Sequence, residues 1–401
     1  AAVIRLVRVR EPVVATAERE NGEAWPLRKV LERTWLAHTA PLWERRPSPA
    51  TGEPVPLEEI ELPAVAVPTD GLYPGDPAYP LVDQLVLEFD PRHLELERDD
   101  ARLVSLYEWY SQIPSATPDA PRVSWIGAVG DLMVARGVTQ LLDRPNGLDT
   151  VFTDVLPLMQ EVDFLLGNLE GAVTTRGTPL EKTFTFRFHP RVLPPLAAAG
   201  FDYLSIVNNH SYDYGEIGLL DSLDHLSASS IATSGVGRNL AEARRPFEMM
   251  LATQDEAGTP IRVLAVGAYP VERSGFDGAW QTAAGEETPG VLWADARNPA
   301  AREAALRAMR EAVGPGTLDI VMVHGGPEWE THPSVSQREL YRSFVDAGAD
   351  VVIGHHSHVV QGLEAYRGAL IAYSLGNFVF PGMYLTDHGE ESIFLRIGVV
   401  D

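Results

Sequence analysis

Cysteine is absent from the 401 residues. That excludes disulfides, thiolate zinc sites and cysteine nucleophiles together. It leaves the compartment open, because many exported proteins also lack disulfides. Positive charge is scarce: 32 Lys and Arg stand against 56 Asp and Glu, a formal charge of −24. A chain this acidic is a poor general ligand for nucleic acid or anionic membrane, so no nucleic-acid partner is expected. A metal ion can still reverse the field inside a cleft. Long apolar runs are missing as well, and none reaches the about 18 residues of a membrane-spanning helix. The opening AAVIRLVRVREP has no apolar core of signal-peptide length. A removed export signal, a removed anchor and a trimmed chain are all compatible with it. What is present suffices for a packed core: 45% of residues are hydrophobic and 22% charged, which argues against global disorder.

The length accommodates one large domain and a smaller one, and composition changes near residue 120. Residues 1–120 are rich in Pro, Glu and Arg with broken periodicity. RPSPATGEPVP (46–56) reads as a loop and PSATPDAP (114–121) as a linker. LVDQLVLEF (81–89) reads as a strand, or a helix leading into one, and LVSLYEWY (103–110) as a short amphipathic helix. From Val123 short apolar runs alternate with helical patterns at 149–161, 191–199, 215–226, 299–312 and 336–347. Asn298-Pro299 is a cap followed by proline at the first helical position, Ser336 and Glu339 suit a capping box, and Gly348 suits a helix stop. Strands alternating with helices predict an α/β fold with helices on the sheet faces. The strand-rich end, LIAYSLGNFVF then SIFLRIGVV, makes the sheet mixed.

Almost every apolar run ends in a group able to bind a metal or move a proton. Asp131 follows SWIGAVG, Asn168 and Glu170 follow DFLLG, Asn209 and His210 follow YLSIVN, His324 follows IVMV, and His356 and His358 follow DVVIGH. In α/β sheets ligands bind beyond the carboxyl ends of strands, so these side chains can converge. Each has a plainer reading alone. Asp131 suits a turn or cap, Glu170 a solvated loop, Asn168 and Asn209-His210 turns, and His324 a hydrogen-bonded core histidine. The His356/His358 pair is stronger, because alternate residues of an extended strand share a face. Carboxylate, amide and imidazole together suit Zn²⁺, Mn²⁺ or Fe²⁺ better than Mg²⁺. Two such ions about 3.5–4 Å apart would clamp a phosphoryl group and activate water.

Six blocks occur in an order that resembles the CapA capsule-synthesis family: GDLMVAR (130–136), NLEGAV (168–173), AGFDYLSIVNNHSYDYG (199–215), HGGPEWETHPSVSQ (324–337), AGADVVIGHHSHVVQ (347–361) and YSLGNFVF (373–380). They cover roughly the C-terminal two thirds of the chain. CapA domains are similar in turn to calcineurin-like metallophosphoesterases. The resemblance therefore implies a metallophosphoesterase-like β-sandwich flanked by helices over residues 121–401, beside a smaller N-terminal region of uncertain fold. GDPAYPLVDQLVLEF within that region resembles the closing part of periplasmic-type binding domains.

Carried over by motif, the resemblance implies one or two divalent ions (Mn, Zn or Fe). Asp131 and His358 would serve one; Asn209, His324 and His356 the other; Glu170 or Asn168 would bridge, with Glu170 favoured because an amide bridges poorly. His210 would be the general acid, oriented by Asp213. Arg136, Lys182 and Arg187 are candidate anion contacts, with a surface salt bridge the plainer reading of Lys182 and Arg187. Glu328 is grouped with them, orientation of a histidine being its other reading. Two departures stand out. The wider superfamily opens with D-x-H, and here Met133 holds the histidine position. Gly325 stands where the family usually has Trp.

Two function classes follow. One is a metal-dependent hydrolase of phosphoester-type bonds in capsule or poly-γ-glutamate biosynthesis. The other is a non-catalytic accessory or scaffold binding an anionic polymer or intermediate in the same cleft. The implied partners are that polymer or phosphoester and membrane-bound synthesis machinery. The implied location is extracytoplasmic, with a membrane anchor in the full-length protein.

Overall fold

The computed structural model describes residues 124–400 apart from 153–154, 253–257, 296, 313–316, 368, 384–385 and 387, together with five strands of the first 123 residues. The loop at 46–56, the helix at 103–110, the linker at 114–121 and most of the segment resembling a binding domain lie outside the described residues. Asp83–Phe89 is a strand, as one reading of 81–89 expects.

Two mixed sheets organise the chain. The first runs in the order Phe201–Ser205, Phe164–Leu169, Ser124–Leu132, Phe394–Val400, Val3–Arg10 and Asp83–Phe89, with Asn377–Val379 added beside the end of Ser124–Leu132. The second runs Phe247–Leu251, Thr259–Ala268, Leu318–Gly325, Val351–His355, Ala369–Ala372 and Leu363–Tyr366. Its four inner strands are parallel and its two edges antiparallel. Helices Pro299–Ala312 and Val335–Asp346 make the crossovers on either side of Leu318–Gly325.

Period-two alternation explains the layering. Val263, Ala265, Ile320, Met322 and Ile353 share one core with Ile126, Ala128, Leu166 and Leu204 of the first sheet. Their neighbours Leu264, Val266, Val321, Val323 and Val352 pack instead with Ala305, Met309, Leu340 and Phe344 of the crossover helices. The result is an α/β fold with helices on a sheet face, as the rhythm of the sequence predicts, and its two facing sheets are the sandwich that the resemblance implies. Among the described residues no helix is long and apolar enough to cross a membrane.

Local signals mostly hold. Asn298 Oδ1 accepts from the Ala301 N–H at 3.1 Å, and Gly348 takes a left-handed φ of 117° after helix Val335–Asp346. Two expectations are corrected. The cap of that helix is Ser334, which accepts from the Gln337 N–H at 3.1 Å, so the helix begins before Ser336. The pattern at 149–161 forms two short helices, Gly147–Phe152 and Leu156–Gln160, with Pro157 in the first turn of the second, where its missing N–H costs no helical hydrogen bond.

Candidate metal centre

Parallel strands place their carboxyl ends together, and here both sheets deliver theirs to one cleft. Asp131 is the penultimate residue of Ser124–Leu132, and Glu170 follows Phe164–Leu169 by one position. Both carboxylates are fully buried. Asp131 Oδ1 accepts from Asn168 Nδ2 at 2.8 Å, and its Oδ2 accepts from the His356 N–H at 3.2 Å. Neither oxygen of Glu170 has a hydrogen-bond donor. His358 Nε2 lies 3.6 Å and His210 Nε2 3.8 Å from Glu170 Oε1. Burial pushes the Asp131 carboxyl up to about 7, against the pull of its Asn168 and His356 donors. Burial, reinforced by the charge of Asp131, holds Glu170 well above the usual carboxylate range.

The imidazoles complete the cluster. His324, near the end of Leu318–Gly325, places Nε2 2.9 Å from Asn209 Oδ1 and 3.1 Å from His356 Nδ1. His356 Nε2 is buried with no partner. His358 Nδ1 lies 3.0 Å from Asn377 Oδ1, and Asn377 Nδ2 donates back to the His358 carbonyl at 3.0 Å. Burial, with the neighbouring histidines, drives His324 and His356 well below their ordinary value; burial lowers His358 to about 4. Neutral imidazole is the form that binds a metal. The expectation that His356 and His358 alternate along a strand is corrected. Strand Val351–His355 ends first, and the two histidines have left-handed φ of 92° and 58°. Non-glycine residues held there cost of order 1–3 kcal/mol each, and such strain concentrates at functional sites.

Two sets of ligand atoms each lie within 4.8 Å of one another: Asp131, Glu170 and His324, and Glu328, His356 and His358. These sets differ from the split implied by motif. Orphaned buried carboxylate oxygens and neutral imidazoles are what a divalent cation would satisfy, so the residues present fit such an ion. Asn168 donates to Asp131 and accepts from Asn208 Nδ2 at 3.3 Å. Asn209 reaches His324 through its oxygen and donates to Glu272 Oε1 at 3.3 Å.

The proposed acid sits on the rim of this cluster. His210 Nδ1 is 2.7 Å from Asp213 Oδ2, the pairing expected from their spacing. Phe186 packs on the His210 ring with centroids 4.1 Å apart. Burial holds His210 below its ordinary value although Asp213 opposes the shift.

Against this geometry, comparison with known proteins is decisive for the family. Residues 125–382 match the profile of the bacterial capsule synthesis protein PGA_cap. The chain belongs to this family. It is 34% identical over 254 residues to the PGA biosynthesis protein CapA of Bacillus subtilis strain 168, across 63% of this chain and 62% of that protein. It is 32% identical over 260 residues to the capsule biosynthesis protein CapA of Bacillus anthracis, across 63% of this chain and 58% of that one. The chain thus spans about three fifths of the length of these relatives. Among solved structures, a phosphatase of Mycoplasma pneumoniae aligns with 64% of this chain and 73% of its own at a TM-score of 0.37 and 12% identity.

The family motifs do not account for everything around the cleft. Lys182 is neither a surface ion pair nor an open anion contact. Its side chain is 1% exposed, and Nζ reaches the Asn209 carbonyl at 2.6 Å, Asp213 Oδ1 at 2.6 Å and Glu272 Oε1 at 2.8 Å. Arg187 is exposed, its guanidinium 4.5 Å from the Tyr214 ring centroid. Arg136 lies at the rim, donating to the Pro381 carbonyl at 3.1 Å and covering Phe186. Glu272, Asn208 and Trp329 were missed. Asn208 stands in the NNH block and was legible as a neighbour of His210. Glu272 lies in a loop without a motif. The Trp329 ring lies 5.2 Å from that of His358.

Proposed function

We propose that the chain serves capsule or poly-γ-glutamate biosynthesis as a metal-dependent hydrolase of phosphoester-type bonds. The observation that supports it is the unpartnered Glu170 carboxylate, enclosed by Asp131, His324 and His358, with a His–Asp pair beside it. Asp131, Glu170 and His324 would hold a divalent ion. When bound, such an ion supplies Lewis acidity toward a phosphoryl oxygen and lowers the pKa of water. His210 presents Nε2 to the cleft while Nδ1 donates to Asp213, so Asp213 fixes the ring and supports its charged form. As water adds to phosphorus and the P–O bond to the leaving group breaks, the leaving oxygen would take the Nε2 proton of the imidazolium form, which Asp213 favours against the opposing effect of burial. Phe186 and the buried walls exclude water from that face. The partners we assign are an anionic polymer or phosphoester and membrane-bound synthesis machinery, met outside the cytoplasm by a protein anchored in its full-length form.

A second reading keeps the cleft and drops the turnover. Met133, at the superfamily's missing histidine, is fully buried in the hydrophobic core, and a thioether is a poor ligand for these ions. The protein would then bind an anionic polymer or intermediate as an accessory or scaffold. Metal analysis after Mn²⁺ or Zn²⁺ supplementation, followed by aryl-phosphate and phosphodiester assays, separates the two. Loss of a general acid typically costs about 10²–10⁴ in rate, which is the drop expected in kcat for His210→Ala. Metal binding with no turnover above His210→Ala on any substrate would establish the accessory reading.

A further inference from the structure

We propose that an arginine-lined groove at one edge of the second sheet is a metal-independent binding site for the carboxylates of an anionic polymer. This inference rests on the capsule-polymer part of the reading above, and not on the metal or on turnover. The groove has a volume of about 420 Å³, within the range of about 300–1,000 Å³ of ligand clefts and larger than a lone oxyanion needs. It lies between edge strand Phe247–Leu251, its neighbour Thr259–Ala268 and the C-terminal part of helix Pro299–Ala312. Arg244, Arg245 and Arg262 line it, and the small side chains of Ala241 and Ala308 leave the space open. Arg262 precedes Gly267, the sheet partner of His324, by five positions, about 17 Å along a strand. The groove is therefore apart from the cleft.

Charge and unspent donors carry the argument. Acids outnumber Lys and Arg by 56 to 32, and a net charge of −24 repels an anionic polymer at long range. Holding one takes a local cationic foothold. Here three guanidiniums meet, each with five N–H donors. Arg262 gives Nε and Nη2 to Asp319 at 2.8 and 3.4 Å, which fixes its orientation. Arg244 gives Nη2 to Glu311, whose side chain is 60% exposed, and its Nε is buried with no acceptor. Arg245 is exposed, and nothing among the described residues pairs with its guanidinium. The groove also carries Glu248, the cross-strand neighbour of Arg262. An incoming carboxylate would replace the mobile Glu311 on Arg244, while Arg245 supplies the unmatched charge. Carboxylates strung on one flexible chain fit better than a single anion, because each guanidinium fork takes one carboxylate and three forks line one groove.

The test is binding of a fluorescent γ-linked glutamate oligomer, followed by anisotropy at low salt with a chelator present, so that no ion in the cleft contributes. Wild type is expected to bind, and to bind more weakly as salt rises. Arg245→Gln is expected to weaken binding at least about tenfold, the worth of one charge-assisted hydrogen bond, and an exposed, unpaired side chain is a position where the fold survives. Arg244→Gln is expected to weaken it likewise. Glu311→Gln is expected to tighten binding, because it removes the acid that competes for Arg244. Arg191→Gln removes the same charge beside Asp143, far along the chain, and is expected to leave affinity unchanged. Circular dichroism checks that each variant is folded. No binding by wild type, or groove variants that bind as Arg191→Gln does, overturns the inference. So does inorganic phosphate that displaces the oligomer as well as unlabelled oligomer does at equal charge, which would mark a site for simple anions. Binding that requires Mn²⁺ and survives Arg245→Gln would put the polymer in the cleft, overturning this inference and keeping the reading above. Absence of phosphoester hydrolysis overturns only the hydrolase reading.

Discussion

At the scale of single residues, the buried lysine is the most informative group near the proposed acid. An ammonium has three N–H donors and no acceptor; Lys182 donates to the Asn209 carbonyl and to Asp213 and forms an ion pair with Glu272. Its Nζ also lies 4.2 Å from the Phe276 ring centroid. It therefore joins the carboxylate that orients His210 to the backbone of Asn209, the residue that reaches His324. Removing one partner from a buried ion cluster leaves the others uncompensated, at about 3–5 kcal/mol. Lys182→Met is expected to lose stability of that order by urea unfolding. Lys182→Arg is expected to recover only part of it, because a planar fork cannot copy three diverging donors. If His210 is the acid, Lys182→Met also slows esters with poor leaving groups more than aryl esters, which need little protonation. Equal slowing of both classes would show that Lys182 is structural only.

At the scale of elements, the site depends on where strands stop. Strand-end residues were legible because a polar group after an apolar run is conspicuous in one dimension, and so were the Asn298 cap and the His210–Asp213 spacing. What was not legible depends on packing between segments distant in the chain. The grouping of Asp131 with His324, and of Glu328 with His356, is set by how two sheets meet. The left-handed turn at His356 and His358 requires the Asp131 carboxylate and the Trp329 loop to hold it, and neither is a neighbour in sequence. Lys182 was misread because a lysine in an acidic chain is ordinarily solvated.

Glycine marks where elements come closest. A Cβ on Gly130 would stand 2.0 Å from the Gly376 carbonyl oxygen, backbone against backbone, where SLGN passes beside the Asp131 strand and accepts the Asp131 N–H at 2.9 Å. Gly137, by contrast, has a φ of 98° with nothing within 4 Å of its Cβ position. Gly137→Ala is thus expected to cost about 1–2 kcal/mol, the strain of a left-handed alanine. Gly130→Ala is expected to cost at least the about 3 kcal/mol at the top of the overpacking range, and to weaken metal binding by shifting Asp131. Thermal unfolding and dialysis against Mn²⁺ measure the two effects. Similar losses in both variants would mean that the strand and SLGN can separate without disturbing the site.

At the scale of the whole molecule, the first ligand set draws Asp131 and Glu170 from one sheet and His324 from the other, so a bound ion would clamp the sandwich across its cleft. The pH dependence follows from the direction of each shift. Asp131 is raised to about 7 and Glu170 is held well above its usual range, both chiefly by burial. A raised acid pKa means that the ion-free fold binds more protons than the unfolded chain between about pH 4 and 7. Stability from these two groups is therefore present below the unfolded pKa and lost as pH rises through the folded one. His356 and His358, lowered by burial, act oppositely: their contribution is lost as pH falls from the unfolded value toward the folded one. Near pH 8 the histidines are neutral in both states and Asp131 is ionised, so the ion-free protein carries the cost of a buried charge that a cation would relieve. A ligand at a hundred times its Kd adds about 2.7 kcal/mol of stability. The rise in Tm on adding Mn²⁺ is thus expected to be larger at pH 8 than at pH 6, to vanish with a chelator, and to fall sharply in Asp131→Asn. Calorimetry in buffers of different ionisation enthalpy should register proton release at pH 6 that diminishes by pH 8. A Tm increment independent of pH would show that the buried acids are not the groups that take the ion.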